Sequence, residues 1–256
     1  MVLTKQYILE CLDNYCDFSE LTEETFENKI IRPLHEHKCF EKWGWDNGVT
    51  KGVLIFTELD FVVKIPFEGT FCFTESHYED KNGRWRYSDE GIPTEEIGNW
   101  TKIEANDEFI QFGGANANNS DWNYCALEEE LTQQAKLKGL ELCFAATNFL
   151  GYAKDHPIYI QEKCCMFSEA SSTTNKEKYK NRTKEDYDSL KRVREKIDFW
   201  EVNDNWLLDF LIYWGEEILK QLCDFIYNHD IEDLHNGNIG YRNGVPCLVD
   251  YSSYHE

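Results

Sequence analysis

Asp233, Asn238 and Asp250 stand at spacings that suit phosphate transfer, within the segment EDLHNGNIGYRNGVPCLVDYS near the end of the chain. Transfer of a phosphoryl group from ATP needs a carboxylate beside the attacking hydroxyl and oxygen ligands for Mg²⁺. Asp233 and Asn238 can divide those tasks on one loop, and the turn at 242–244 returns Asp250 to that loop. The alternative is a polar hairpin whose Asp and Asn residues only form turns.

A second pair of candidates lies on a predicted strand and a predicted helix. Lys64 interrupts the apolar run FVVKIP, where an unpaired lysine is costly. It is predicted to hold ATP phosphates, with Glu128 as its partner, because Glu128 shares a helical face with apolar residues. Glu129 and Glu130 flank Glu128 and are expected to face solvent. The alternative for Lys64 is a lysine at a sheet edge whose ammonium reaches water.

The segment DNGVTKG, ahead of the first strand of a predicted hairpin, is the candidate phosphate loop. Gly48 and Gly52 would let backbone N–H groups approach phosphates, with Thr50 and Lys51 between them. Ordinary turns contain the same residues, so this pattern leaves both interpretations open.

Hydrophobic periodicity predicts the elements that position these residues. Helices are expected over 1–40, and strands over 53–56 and 61–65. An amphipathic helix is expected from Asp121, as its cap, to Lys138. The other predictions, in chain order, are an irregular insertion at 68–120, a short helix at 142–149, a strand at 157–164, a linker at 168–186, helices near 185–198 and 204–228, and a final hairpin.

Composition restricts the class of protein. The 256 residues are 41% hydrophobic, enough for one large domain or two lobes. The net charge of −22 argues against nucleic acid as the main partner, because binding phosphates requires clustered Lys and Arg. No apolar run approaches the roughly 20 residues that span a bilayer, so no membrane partner is expected.

The first twenty residues lack the pattern of a signal peptide, and the ten cysteines follow no regular spacing. Reduced thiols and a cytoplasmic location are therefore expected. His35, His37 and Cys39, in HEHKC, form a weaker candidate metal cluster, because no second ligand pair accompanies them.

Taken in order, Lys64, Glu128, the motif D-L-H-x-x-N and Asp250 resemble the protein kinase-like superfamily. The form DLHNGN is most similar to the aminoglycoside and choline kinase branch. The resemblance implies an α+β, two-lobe fold that begins after a helical segment at 1–40. It implies an N-lobe built on an antiparallel sheet at 41–167, with the insertion at 68–120, and a shortened, mainly helical C-lobe at 168–256.

The resemblance also implies a role for each matched residue. By that resemblance, Lys64 would bind the α- and β-phosphates of ATP, and Glu128 would pair with that lysine. Asp233 would orient or deprotonate the acceptor hydroxyl, and His235 would lie near the transferred phosphate. Asn238 and Asp250 would bind Mg²⁺.

The chain departs from the family pattern at several points. GVTKG replaces the glycine-rich loop, Glu232 replaces the arginine before the catalytic Asp, and DYS replaces Asp-Phe-Gly. Six residues follow Asp250, so a shortened core without a peptide platform is expected. The insertion or a second copy of the chain, as a homodimer, could cover the cleft.

The function expected from these residues is ATP- and Mg²⁺-dependent phosphotransfer to a protein or small-molecule hydroxyl, with AMP transfer as a variant. The alternative is a kinase-like, catalytically weak or inactive acidic protein that docks on a basic partner, in a phage or mobile-element setting.

Overall fold

The structure is a computed structural model that describes residues 3–79, 85–88, 103–112, 123–167, 182–194, 202–229, 231 and 234–251. Its class is α+β, as predicted, with a five-stranded antiparallel sheet, two three-stranded sheets and several helices. Within those ranges, every helix is too short or too polar to cross a bilayer.

The helices and strands are numbered in chain order. They are α1 (Lys5–Tyr15), α2 (Glu23–Phe26), a π-helical turn (Glu27–Ile31), α3 (Arg32–Glu36), β1 (Trp43–Asn47), β2 (Lys51–Phe56), β3 (Phe61–Pro66), β4 (Gly69–Glu79), β5 (Trp85–Ser88), β6 (Ile103–Phe112), α4 (Tyr124–Leu137), a 3₁₀ turn (Glu141–Cys143), β7 (Thr147–Ala153), β8 (His156–Glu162), β9 (Cys165–Met166), α5 (Lys184–Arg194), α6 (Asp204–Asn228), β10 (Ile239–Arg242) and β11 (Val245–Leu248).

The five-stranded sheet has the order β1-β2-β3-β8-β7. In its register, Val53 lies opposite Lys64, and Lys64 lies opposite Tyr159. Because side chains alternate between the two faces of a sheet, Lys51 and Lys64 project from the same face. Gly52 and Leu54 belong to the other face. The register therefore brings two lysines together on one side of neighbouring strands.

The N-terminal helices cover the face that carries Gly52. Helix α2 begins with a capping box in which Thr22 and Thr25 exchange side-chain hydrogen bonds with backbone N–H groups. Phe26, at its end, is fully buried and packs against Phe67 with ring centroids 5.2 Å apart. A Cβ atom on Gly52 would lie 2.3 Å from the Phe26 ring. Phe26 thus occupies the space that a side chain at position 52 would need.

Replacing Gly52 with alanine should destabilise the fold, because the new methyl group meets an aromatic ring that is closed in on all sides. Overpacking of this kind costs about 1–3 kcal/mol of unfolding free energy. Urea unfolding is the measurement. Gly48→Ala is the matched control, since nothing lies within 4 Å of a Cβ at that position. If contact with Phe26 causes the destabilisation, combining Phe26→Leu with Gly52→Ala should recover part of the lost unfolding free energy. Equal stability of Gly52→Ala and Gly48→Ala would contradict the packing argument.

The sequence-based elements were correct in some places and wrong in others. The strands predicted at 53–56 and 61–65 correspond to β2 and β3, whereas the insertion predicted as irregular contains the sheet β5-β4-β6. The short helix predicted at 142–149 was wrong, because after the 3₁₀ turn the chain enters β7, which pairs along β8. Asp121 lies outside the described residues, and the cap of α4 is Asn123, whose Oδ1 accepts from two backbone amides. The linker prediction at 168–186 lies largely outside the described residues.

The last helix follows its predicted boundaries, and the final hairpin turns within the predicted residues 242–244. Helix α6 covers 204–228 and is interrupted at Gly215, whose φ of 83° is not helical. Strands β10 and β11 are joined by Asn243 and Gly244, both at positive φ, as a tight hairpin turn requires. Inside α6, the buried Asp209 accepts from Arg182 at 2.8 Å and from the Tyr241 hydroxyl at 2.7 Å. The Tyr241 bond fastens the hairpin to α6, and the Arg182 bond fastens the segment before α5 to the same residue.

Candidate functional site

Four charged side chains from distant parts of the sequence meet beside the five-stranded sheet. We call them the carboxylate–lysine cluster: Lys51 on β2, Lys64 on β3, Glu128 on α4 and Asp250 after β11. The Lys64 Nζ lies 2.7 Å from Glu128 Oε2, and the Lys51 Nζ lies 2.7 Å from both Glu128 Oε1 and Asp250 Oδ1. Lys51 therefore bridges the two carboxylates.

Glu128 is the centre of this cluster and is fully buried. Glu128 pairs with both lysines, and its Oε2 also accepts from the Thr147 hydroxyl at 2.9 Å and from Gln161 Nε2 at 3.3 Å. Of the three consecutive acids on α4, Glu130 is exposed and Glu129 accepts from the backbone amide of Phe149. The choice of Glu128 as the partner of Lys64 is confirmed for this ion pair.

Lys51 and Asp250 adjust each other's ionisation. Burial acts to lower the pKa of the Lys51 ammonium, but the carboxylates of Asp250 and Glu128 hold that pKa well above its ordinary value. Burial likewise acts to raise the pKa of the Asp250 carboxyl, and the ammonium groups of Lys51 and Lys64 hold it well below its ordinary value. Both groups are charged at neutral pH. Since the pKa of the Asp250 carboxyl is lowered, the stability that its ion pair adds is complete above a pH of about 4 and is lost progressively as the pH falls toward that lowered pKa.

Asn238 and Asp250 are neighbours through the backbone. The Asn238 carbonyl accepts from the amides of Val249 and Asp250, at 2.8 and 3.4 Å. Asn238 is buried, whereas the Asp250 side chain is 34% exposed. The two predicted metal ligands thus lie on segments that are hydrogen-bonded to each other, and the carboxylate has access to solvent.

These residues suit Mg²⁺ in the chemistry of their donor atoms. Mg²⁺ prefers oxygen ligands, retains several waters and takes one or two carboxylates from a protein. Asn238 and Asp250 supply an amide oxygen and a carboxylate. Within the described ranges, no three His, Cys, Asp or Glu side chains gather as a metal site, so a metal here would depend on water and on a ligand as well.

Of the other predicted site residues, Gly48, Thr50 and His235 lie in loops and turns, with the following exposure and hydrogen bonds. Gly48 is exposed in the β1–β2 turn, where its amide donates to the Lys51 carbonyl at 3.0 Å. The carbonyl of Thr50 accepts from the amide of Phe67 at 2.8 Å. His235 is exposed, and its Nδ1 accepts from the Gly237 amide at 2.9 Å. Asp233 lies outside the described residues.

Gly52 has a packing role in this structure. It belongs to the sheet face opposite Lys51, where the Phe26 ring fills the adjoining space. The glycine is therefore explained by the layer of N-terminal helices on that face.

The weaker candidate cluster in HEHKC has aromatic neighbours. His35 stacks on Trp43 with ring centroids 4.5 Å apart, and His37 stacks on Tyr15 at 4.1 Å. Cys39 is buried in the core. The two exposed histidines thus have aromatic partners, and Cys39 belongs to the packed N-terminal layer.

Sequence reasoning missed the residues that hold the cluster together. Gln161 Nε2 donates to the Val249 carbonyl at 2.7 Å and so joins β8 to the segment that carries Asp250. The Tyr251 hydroxyl donates to the Ala145 carbonyl at 2.8 Å and lies 2.7 Å from Thr132 Oγ1. A polar residue inside the apolar strand PIYIQ was the available signal for Gln161.

Comparisons with known proteins give no further assignment. No family model, no curated protein and no solved structure matches this chain.

Proposed function

We propose that this protein is an ATP- and Mg²⁺-dependent phosphotransferase that acts on a hydroxyl of a protein or a small molecule. The observation that carries the proposal is the convergence of Lys51, Lys64, Glu128 and Asp250, which are separated by up to 199 positions in the chain. Stability alone is a weak reason for a chain to keep four buried or half-buried charges, because replacing such a group by apolar residues is often neutral or stabilising. A role in binding or catalysis is the other reason to keep them.

The proposed fold around the site is the two-lobe arrangement of the protein kinase-like superfamily. The sheet β1-β2-β3-β8-β7 with α4 would form the smaller lobe. Helices α5 and α6 with the β9–β11 sheet would form the larger one. The antiparallel sheet, the ion pair between its lysine and the next long helix, and the final hairpin that leads into Asp250 support this assignment.

Each residue then has a task in binding and transfer. Lys64, held by Glu128, contacts the phosphates of ATP, and Lys51 offers a second cation from the adjacent strand. Asn238 and Asp250 hold Mg²⁺, which neutralises phosphate charge when it is bound. By the family resemblance, Asp233 orients the acceptor hydroxyl and takes its proton, with His235 near the transferred group.

The test is thermal unfolding of the full chain with ATP and Mg²⁺, with ATP and a chelator, and with neither. At a nucleotide concentration 100 times the Kd, binding stabilises the folded state by about 2.7 kcal/mol. For a chain of this size, each kcal/mol raises Tm by about 2–4 °C. A rise that needs both ATP and Mg²⁺ supports the proposal, and an unchanged Tm at millimolar nucleotide contradicts it. ATP labelled on the γ- or the α-phosphate then separates phosphoryl transfer from AMP transfer.

The net charge of −22 favours a second candidate, a kinase-like acidic protein that docks on a basic partner. Such a field speeds association with a positively charged surface and weakens steeply with salt. This candidate needs no nucleotide. It would be preferred if the thermal experiment gave no Mg²⁺–ATP effect.

A further inference from the structure

Two cysteines from distant parts of the chain lie side by side next to the candidate site. The sulfur atoms of Cys164 and Cys247 are 3.6 Å apart, although the residues are 83 positions apart in sequence. Cys164 follows the end of β8, and Cys247 lies on β11, whose last residue is two positions before Asp250. Neither the proposed phosphotransfer nor the packing of the core requires two thiols in contact.

We propose that Cys164 and Cys247 are a peroxide-reactive thiol pair that closes to a disulfide between the end of β8 and strand β11. The sulfur atoms need to approach from 3.6 Å to a bond length of about 2.05 Å. This is a modification site, and it stands independently of the proposed phosphotransfer.

The two thiols differ in exposure, which assigns them different roles. Cys164 is partly exposed, whereas Cys247 is fully buried. A reagent from solvent therefore meets Cys164 first, and Cys247 is reached through its neighbour. In this pair Cys164 is the attacking thiol and Cys247 is the resolving thiol.

The electrostatics point in the same direction. The hydrogen bond from Cys247 and the nearby Arg242 guanidinium lower the pKa of the Cys164 thiol, against the opposing effects of burial and of the Glu162 carboxylate. The same hydrogen bond, together with burial, raises the pKa of the Cys247 thiol. Arg242 is held in place by the Phe144 carbonyl, 3.2 Å from its Nη1, and by an ion pair with Glu162. A thiolate is the reactive form of cysteine, so reactivity is concentrated on Cys164.

The chemistry balances with a peroxide as the oxidant. The Cys164 thiolate attacks one oxygen of hydrogen peroxide, the O–O bond breaks, and Cys164 sulfenic acid and hydroxide are formed. The Cys247 sulfur then attacks the sulfenic sulfur, and the S–O bond breaks. The leaving hydroxide takes the Cys247 proton as water. Two thiols are oxidised to one disulfide, and one peroxide is reduced to two waters once the first hydroxide is protonated.

Intact mass and peptide mapping of the full chain test the proposal. The reduced protein is freed of reductant and treated with an equimolar amount of hydrogen peroxide. We expect a loss of about 2 Da, the two thiol hydrogens, with the link mapped to Cys164 and Cys247 and reversed by dithiothreitol. No mapped link between these two cysteines would overturn the proposal.

Three variants assign the roles. Cys247→Ser should stop at the sulfenic acid on Cys164, which dimedone labels, and Cys164→Ser should abolish the reaction at this pair. Cys165→Ser is the matched control, because Cys165 is the exposed neighbour and is not needed for the bond. Loss of the link in the Cys165 variant would contradict the assignment. The map of the unaltered chain decides the matter even if the variant at the buried Cys247 does not fold.

Discussion

Glu128→Ala is expected to destabilise the protein by about 3–5 kcal/mol, the cost of removing one partner from a buried ion pair. Glu128 is fully buried and is the shared partner of Lys51 and Lys64, which are themselves 6% and 3% exposed. Without it, both ammonium groups would lose a carboxylate in a region with little water, although Lys51 would retain Asp250. The change also removes the acceptor for Thr147 and Gln161. A loss of this size is a large fraction of the 5–15 kcal/mol by which typical proteins are stable.

Urea unfolding at neutral pH is the measurement, with Glu130→Ala as the matched control. Glu130 stands on the same helix and is exposed, so its substitution should change the unfolding free energy by less than about 0.5 kcal/mol. Glu128→Gln retains the shape but removes the charge, and its stability should fall between those of the two alanine variants. A Glu128→Ala protein as stable as the control would refute the arrangement of the carboxylate–lysine cluster.

Asp250→Asn is expected to abolish stabilisation by ATP and Mg²⁺. The substitution preserves the size of the side chain but removes a negative charge that lies 2.7 Å from the Lys51 Nζ and is partly exposed. Asn cannot supply the charged oxygen that a divalent cation prefers. Where the unaltered chain gains about 2.7 kcal/mol at a nucleotide concentration 100 times its Kd, the variant should gain less than about 0.5 kcal/mol.

Thermal unfolding with and without Mg²⁺–ATP makes this comparison, and circular dichroism of the unliganded variant shows whether it is folded. Asp224→Asn is the control, because Asp224 is an exposed acid on α6. It should retain the full Mg²⁺-dependent shift. If Asp250→Asn also retained the full shift, the metal role assigned to Asp250 would be wrong, whereas loss of the shift in both variants would point to a general effect of charge.

The sequence indicated Lys64 and Glu128 as an ion pair, but it did not indicate that Lys51 would join them. Lys64 stood out because a charge in an apolar strand demands a partner, and Glu128 because helical spacing placed it among apolar residues. Lys51 was assigned to the candidate phosphate loop, ahead of the strand predicted at 53–56, with an ordinary turn as the alternative. Its role as a bridge follows from the pairing of β2 with β3, and pairing between strands is not visible in local sequence.

The error at 142–149 also arises because local sequence does not show which strands pair. Residues 142–149 form a short apolar run, which periodicity cannot divide between helix and strand. Pairing with β8 decides for the strand, and it also places Thr147 opposite Gln161, where both can reach Glu128. The helical segment at 1–40 was predicted correctly as helix, but nothing in its local pattern indicated that it would cover the back of the sheet.

The contact between Phe26 and Gly52 has a consequence for the history of this chain. The ring occupies the space beside the glycine, so neither residue can change freely while the other remains. Among proteins descended from a common ancestor with this one, positions 26 and 52 should covary. A lineage that acquires a larger residue at 52 should carry a smaller one at 26, whether or not it retains Lys51 beside it.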